Sequence, residues 1–477
     1  MPTLLIATLV LILLAPWALA QPLTGTAKVE MDHVINPTII GAGVNFAFSD
    51  YEYINFRTLG EWTDIHSQQV PLPDDKAEWA SFNRLMDFAG FQYVRFCVGM
   101  TQWEPVNDND DPHSLNLESG FTFSPGFWEA HPEVDTSLRT YQETLYRLLD
   151  HWEQRGLYVV LGNWWSGPSN FCPGGDVWLQ AKDADGKRIG ATREEMHLAS
   201  LEEFTEGLAA IMYDLKREHP YECVKGVSFW NEPEQMSDYY TTLSGVYNSL
   251  GAQLRRLGIR DEVAIQAFDG ALFWNREHGS VPDGVERLGK LAKGNMELIS
   301  VHDYWAAFDY RKGEHTDTIH GTLSEFVDST IKPAIEQSKA ASEDGKPLPV
   351  IAGEFGWFGL MGEGGDAAKA DFLQRLHSAE ATVHLLNGGA KAIAFWIYNN
   401  NYHSYWRMLT FDPDNYRHFV PEPANYYPLA LTMKYLPRGA DVVASKVTGA
   451  TDEKGNQRVF LLARSEEHTS ELQSPNT

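Results

Sequence analysis

The sequence predicts an α/β protein built as a (β/α)8 TIM barrel with a small appended β-domain, and three observations carry that expectation. Short apolar runs rich in Val, Ile and Phe alternate with amphipathic stretches of helical length, the signature of strand-helix units around a parallel sheet. Eight such units follow one another in about 400 residues, the size of such a barrel with loop insertions. The rival doubly wound sheet needs a Gly-rich phosphate turn after its first strand, whereas Gly41-Ala42-Gly43-Val44 lies within or at the start of the strand itself.

The eight expected strands are 40–48, 93–98, 158–164, 226–231, 262–267, 298–304, 349–354 and 392–398. Helical periodicity marks 76–88, 136–154, 201–218, 238–257, 323–341 and 367–386, with a weaker pattern over 285–293. Before and after the barrel, 24–32 and 442–463 alternate apolar and polar residues as antiparallel strands do, with a turn at 452–456. The expected domain plan is a leader at 1–20, an accessory strand within 21–37, the barrel over 38–437, and the rest of the β-domain over 438–463.

Both ends of the chain carry segments that are not fold. Residues 4–14 are apolar and the sequence runs on to Ala18-Leu19-Ala20, a small-x-small secretory cleavage pattern that leaves Gln21 first, so a secreted or periplasmic location is expected. A membrane anchor fits less well, because the run is short for a span of about 20 residues and Pro16 interrupts it. Residues 464–477 read as a translated sequencing-adapter scar without helical or strand periodicity, and the natural chain is expected to continue past Ala463.

Composition narrows the partners. A formal charge of -27 repels phosphate backbones, which argues against nucleic acid and leaves a neutral ligand as the easier fit. No segment after the leader is long and apolar enough to span a bilayer. Cys97, Cys172 and Cys223 permit at most one disulfide, so stability has to come from the core. Oligomeric state is not readable from the sequence.

The chemistry is concentrated at the C-terminal strand ends, which face the active site of such a barrel. Val227-Ser228-Phe229-Trp230-Asn231-Glu232-Pro233 and Val350-Ile351-Ala352-Gly353-Glu354-Phe355-Gly356 each run an apolar strand into a carboxylate that a buried strand has no structural use for. Asn45, Arg95, Asn163, Asn231, His302, Tyr304 and Trp396 fall on the same rim. Two carboxylates facing one bond are the minimum equipment for glycoside cleavage.

With Asn-Glu-Pro after an aromatic strand, His-x-Tyr on the sixth strand and Gly-Glu-Phe-Gly on the seventh, the barrel, roughly 41–436, resembles the retaining glycoside hydrolases of clan A. It is similar both to the cellulase-type family 5 and to the xylosidase-type family 39. The resemblance implies a polysaccharide or oligosaccharide substrate and no metal or organic cofactor. It implies Glu232 as acid/base and Glu354 as nucleophile, with Asn231 on the sugar 2-hydroxyl, Arg95 and Tyr304 holding Glu354 ionised, His302 orienting the group and Trp396 flooring the sugar. Retention then requires carboxyl groups about 5–5.5 Å apart, against roughly 6.5–9.5 Å for inversion. A transglycosylase would use the same residues, and a catalytically silent carbohydrate-binding barrel is the reading from another class.

Other features weigh less. Loop aromatics Trp103, Trp164, Trp165, Trp178, Trp274, Trp305, Trp357 and Trp406 serve stacking on sugars or plain packing, and Asn399-Asn400-Asn401-Tyr402-His403 either binds hydroxyls or is a solvated loop. Asn107-Asp108-Asn109-Asp110-Asp111 lacks the glycine and distal glutamate of a calcium loop. Gly362-Glu363-Gly364-Gly365 reads as a flexible connection and Glu194-Glu195-Met196-His197 as a helix-start charge cluster without a second histidine.

Overall fold

The computed structural model describes residues 24–46, 75–98, 141–162, 184–185, 201–233, 238–270, 279–305, 308–309, 314–315, 323–357, 377–398, 406–411, 419–450 and 461–465. Strand β1 (Gly25–Asn36) precedes the barrel. The barrel strands are β2 (Gly41–Phe46), β3 (Tyr93–Cys97), β4 (Tyr158–Gly162), β5 (Val224–Ser228), β6 (Ala264–Gly270), β7 (Leu298–Trp305), β8 (Val350–Trp357) and β9 (Ala392–Phe395). All pairs between neighbours are parallel, and β9 closes onto β2 through Ala392↔Gly41 to Phe395↔Val44. The expected (β/α)8 barrel is therefore the observed one.

Between the strands run α1 (Asp75–Ala89), α2 (Tyr141–Gln154), α3 (Leu201–Tyr213), α4 (Tyr239–Arg256) and α5 (Val281–Leu291), then a broken helix over 323–340, α6 (His377–Asn387) and α7 (Pro423–Met433). The weak 285–293 pattern proves to be α5, which starts earlier because Ser280 caps it, accepting from the Asp283 amide, and proline stands in its first turn. Two expected helices contain π-helical turns, at Asp214–Glu218 and Val327–Ile331, which periodicity does not announce. Helix α7 went unpredicted: it is apolar nearly all round and lacks the stripe that marks an amphipathic helix.

Strand alternation explains how the barrel is filled. On β3, Val94 and Phe96 point outward into the large core shared with the helices, while Tyr93 joins Val160, Leu298, Ile351, Ala392 and Ala394 in the small interior cluster. The next inward positions toward the C-terminal rim turn polar: Asn45, Arg95, Ser228, Gln266, Ser300 and His302 are all buried. Gly43 lets β2 and β3 approach, because a Cβ there would lie 1.7 Å from the Tyr93 carbonyl oxygen.

Outside the barrel, β1 pairs antiparallel with β10 (Asp441–Gly449), from Gly25↔Gly449 to Asn36↔Val442, and β11 (Ala463–Ser465) lies along the other edge of β10. This three-stranded sheet is the accessory element expected from 24–32 and 442–463; β11 takes in Arg464 and Ser465, two residues past the expected boundary. Asn36 anchors it to the barrel by donating to the carbonyls of Leu386 and Ala390. The leader, the 452–456 turn and most of the C-terminal tail lie outside the described residues. Among the described residues no helix is long and apolar enough to cross a membrane.

Candidate active site

Six of the barrel strands deliver polar side chains to one buried cluster at the C-terminal mouth. Its centre is Arg95 on β3, which is fully buried. One amino group donates to Asn45 Oδ1 at 2.9 Å and to Glu354 Oε1 at 2.8 Å. The other donates to Asn231 Oδ1 at 2.7 Å and to an aspartate on β6, Asp269, at 2.8 Å. Asn45 is itself fixed by donating to the Gly353 and Ala394 carbonyls. A buried guanidinium so used is a rigid fork with a permanent charge.

Glu354 lies within β8, which continues three residues beyond it, rather than at the strand end. A register shift between Ala352 and Glu354 brings it opposite His302, and the pairing continues up to Trp357↔Trp305 as a two-stranded extension above the barrel. Gly353 sits in that shift because a Cβ there would fall 1.9 Å from Ser300 Oγ. Tyr304 donates to Glu354 Oε2 at 2.6 Å, so each oxygen of this carboxylate has its own donor.

Glu232 stands beyond the end of β5, which stops at Ser228, and has a left-handed backbone with φ 51°. Its amide donates to the Asp269 carbonyl at 2.9 Å, which holds that conformation in place. Trp230 stacks on Phe204 of α3, tying the segment to the outer core. His302 bridges the two sides, with Nδ1 3.3 Å from Glu232 Oε1 and 3.7 Å from Glu354 Oε2, and Nε2 3.2 Å from Asp269 Oδ1. One oxygen from each glutamate and one His302 nitrogen all lie within 4.8 Å of one another.

The electrostatics follow from burial and these pairs. Burial opposes charge on His302, but Glu354 and the bonds to Asp269 and Glu232 outweigh it and push the imidazole up to about 10. His302 is therefore an imidazolium at neutral pH and presents N–H groups to the carboxylates around it. Burial also works against the Asp269 carboxylate, yet Arg95 and His302 hold it well below the usual range. For Glu354 burial prevails and, helped by Glu232, raises the carboxyl above the ordinary glutamate value, although His302, Arg95 and Tyr304 pull the other way.

Of the residues expected at the rim, Asn45, Arg95, Asn231, Glu232, His302, Tyr304 and Glu354 converge in this cluster. Trp396 follows β9, is buried, and forms a cis peptide with Ile397; its amide donates to the Phe355 carbonyl. Tyr304 and Trp406 lie 6.2 Å apart, ring to ring. Asn163, the aromatics Trp103, Trp164, Trp165, Trp178 and Trp274, the 399–403 loop and the segments 107–111, 194–197 and 362–365 lie outside the described residues. Asp269 was missed: β6 was expected to end at Ala267, and the criterion used for both glutamates, an apolar strand running into a carboxylate, would have found Ala267-Phe268-Asp269-Gly270.

No protein-family model matches the chain, and no curated protein matches it by sequence. Solved structures do resemble it. The α-L-arabinofuranosidase from Thermotoga maritima matches with TM-score 0.50 at 12% identity over 89% of this chain and 76% of that one. A family 39 glycoside hydrolase from Bacteroides cellulosilyticus WH2 gives 0.49 at 14% identity over 87% of this chain and 66% of that one. A family 30 endoxylanase from Clostridium papyrosolvens C71 gives 0.49 at 11% identity over 92% and 82%. At such identities the likeness is one of fold, and that fold is the eight-stranded parallel barrel.

Proposed function

We propose that this chain is a secreted, retaining glycoside hydrolase that cleaves O-glycosidic bonds of a polysaccharide or oligosaccharide by double displacement. The observation that carries the reading is the pair of buried glutamates at the barrel mouth, one carboxylate oxygen of each lying within 4.8 Å of the other. Both carboxylates therefore reach one anomeric centre, and the arrangement we propose is the close one of about 5–5.5 Å between carboxyl groups used for retention rather than the roughly 6.5–9.5 Å that inversion leaves for a water. The resemblance to an α-L-arabinofuranosidase is compatible with glycoside chemistry and, at the level of fold, selects no sugar.

Their partners distinguish the two carboxylates. Glu354, with Arg95 on one oxygen and Tyr304 on the other, is held as an anion in fixed orientation and is the nucleophile. Glu232, facing an imidazolium across a longer contact, is the acid. In the first step Glu232 gives its proton to the leaving oxygen as the C1–O bond breaks, and a Glu354 oxygen bonds to C1. In the second, Glu232 takes a proton from water, whose oxygen displaces Glu354. Asn231, oriented by Arg95, is the group for the sugar 2-hydroxyl.

The test is direct. Glu354→Gln is expected to reduce kcat by at least about 10⁴-fold on any 4-methylumbelliferyl glycoside the wild type cleaves. Azide should rescue Glu354→Gly with inverted configuration, while NMR of the wild-type product shows retention. Full activity in either glutamate variant, or an inverted wild-type product, sinks the mechanism. A panel of cellulose, mannan, xylan and galactan would identify the polymer.

A further inference from the structure

We propose that Asp269 is the positioning residue of the site, the fixed anion that aligns Arg95, His302 and the Glu232 loop and keeps the pocket electrically neutral throughout the reaction. The proposal deepens the glycosidase reading and rests on it for its catalytic consequence. Asp269 collects four side-chain donors from four strands. Oδ2 accepts from Arg95 on β3 at 2.8 Å and from Ser228 on β5 at 2.6 Å. Oδ1 accepts from Gln266 on β6 at 3.0 Å and faces His302 Nε2 on β7 at 3.2 Å. Its own carbonyl takes the Glu232 amide.

The backbone shows how much is invested in this placement. Phe268 and Asp269 are consecutive non-glycine residues in the left-handed region, with φ 72° and 47°, where each costs on the order of 1 kcal/mol or more. They coincide with a register shift of β6 against β7 between Phe268 and Gly270. The Tyr247 hydroxyl supports the turn from α4 by accepting the Phe268 amide at 3.0 Å. Below, Tyr93 donates to Gln266 Oε1 at 3.1 Å, so the amide that holds Asp269 is itself oriented.

Charge then gives Asp269 a role that no other group in the cluster fills. The titratable groups around it are Tyr93, Arg95, Glu232, His302, Tyr304 and Glu354, of which the phenols Tyr93 and Tyr304 stay neutral because burial pushes them well above the ordinary tyrosine value. Two cations, Arg95 and His302, face two anions, Asp269 and Glu354, and a protonated Glu232 leaves the set neutral. When Glu354 becomes the glycosyl ester it loses its charge, and Glu232, having given up its proton, acquires one. The total is unchanged between free enzyme and intermediate. Without Asp269 the pocket would carry an uncompensated positive charge, which favours an ionised Glu232 and so removes the acid.

Asp269→Asn in the full chain keeps the shape and removes the charge. On whichever 4-methylumbelliferyl glycoside the wild type cleaves, kcat should fall about 100-fold with KM changed less than about threefold. The alkaline limb of the kcat/KM profile should move to lower pH. The ¹⁵N-imidazole signals of His302, assigned by loss in His302→Gln, should report a protonated ring at pH 7.5 in the wild type and a ring that loses its proton at lower pH in Asp269→Asn than in the wild type. A folded Asp269→Asn with wild-type kcat, pH profile and His302 protonation overturns the proposal. Should that variant fail to fold, Ser228→Ala decides: it removes one donor and leaves the charge, with kcat expected about tenfold lower, and an unchanged kcat refutes positioning by Asp269. The imidazole signals need no substrate, so a wild type without glycosidase activity would count against the functional reading alone.

Discussion

Glu354 accepts one hydrogen bond on each carboxylate oxygen, and the tyrosine donor can be removed without leaving a buried charge unpaired. Tyr304→Phe takes away a bond that favours the ionised carboxylate. Because burial already raises Glu354 above the usual glutamate value, its activity should fail on acidification at a higher pH than an exposed glutamate would dictate. In Tyr304→Phe that acid limb of kcat/KM moves to still higher pH, and kcat falls about 10- to 100-fold. A pH-rate profile checks both; an acid limb that stays in place would show that the hydroxyl does not tune the carboxylate. Most of the participants at this level were legible beforehand, since Asn231, Tyr304 and Glu354 end predicted strands, Glu232 follows one directly, and Asn45, Arg95 and His302 are polar residues within predicted strands. Asp269 follows the same apolar-strand-to-carboxylate pattern but lies two residues past the predicted strand end at Ala267, and the left-handed backbone that carries it there has only the following Gly270 as a clue in the sequence.

The units of the barrel were recognisable from periodicity because each has one face to bury. Helix α2 shows the energetic side. Trp152 is fully buried between the helix and the strands, with ring centres 5.2 Å from Phe46 and 5.6 Å from Phe96, and its Nε1–H directed at Met86 sulfur 3.2 Å away. Trp152→Ala would open a cavity at the junction of β2, β3, α1 and α2 and is expected to cost about 3–5 kcal/mol, measured by denaturant unfolding. A loss below about 1 kcal/mol would mean the surroundings collapse to fill the space. Where periodicity fell short, the cause was local. Helix α7 hides its pattern by being apolar on nearly every face, and the π-turns, bonded i→i+5, widen the repeat over only five residues each, too few for periodicity to register.

Across the whole chain a formal charge of -27 acts on the folded state as self-repulsion. Screening should relieve it: raising NaCl from about 10 mM to about 200 mM, which shortens the Debye length from about 30 Å to below 10 Å, is expected to raise Tm by about 2 °C or more. A Tm that is flat or falls with salt would show that the surface charges are already compensated by local pairs such as Arg217–Glu262 and Lys332–Asp328. The buried site should contribute little to that response, because its charges are balanced and shielded from ions.

Alternating apolar strands and amphipathic helices were enough to specify eight strand-helix units, a closed parallel barrel and the rim on which its polar residues gather, because periodicity and burial are local properties of a chain. Which of those residues touch could be decided only by closure. Arg95 bonds Glu354 across 259 positions and Asp269 across 174, and such pairs exist only once β9 has met β2 and set the stagger of every strand between. The charge on His302, the separation of the two glutamates and the hub at Asp269 are products of that closure, since each depends on low-dielectric contacts among residues from different strands.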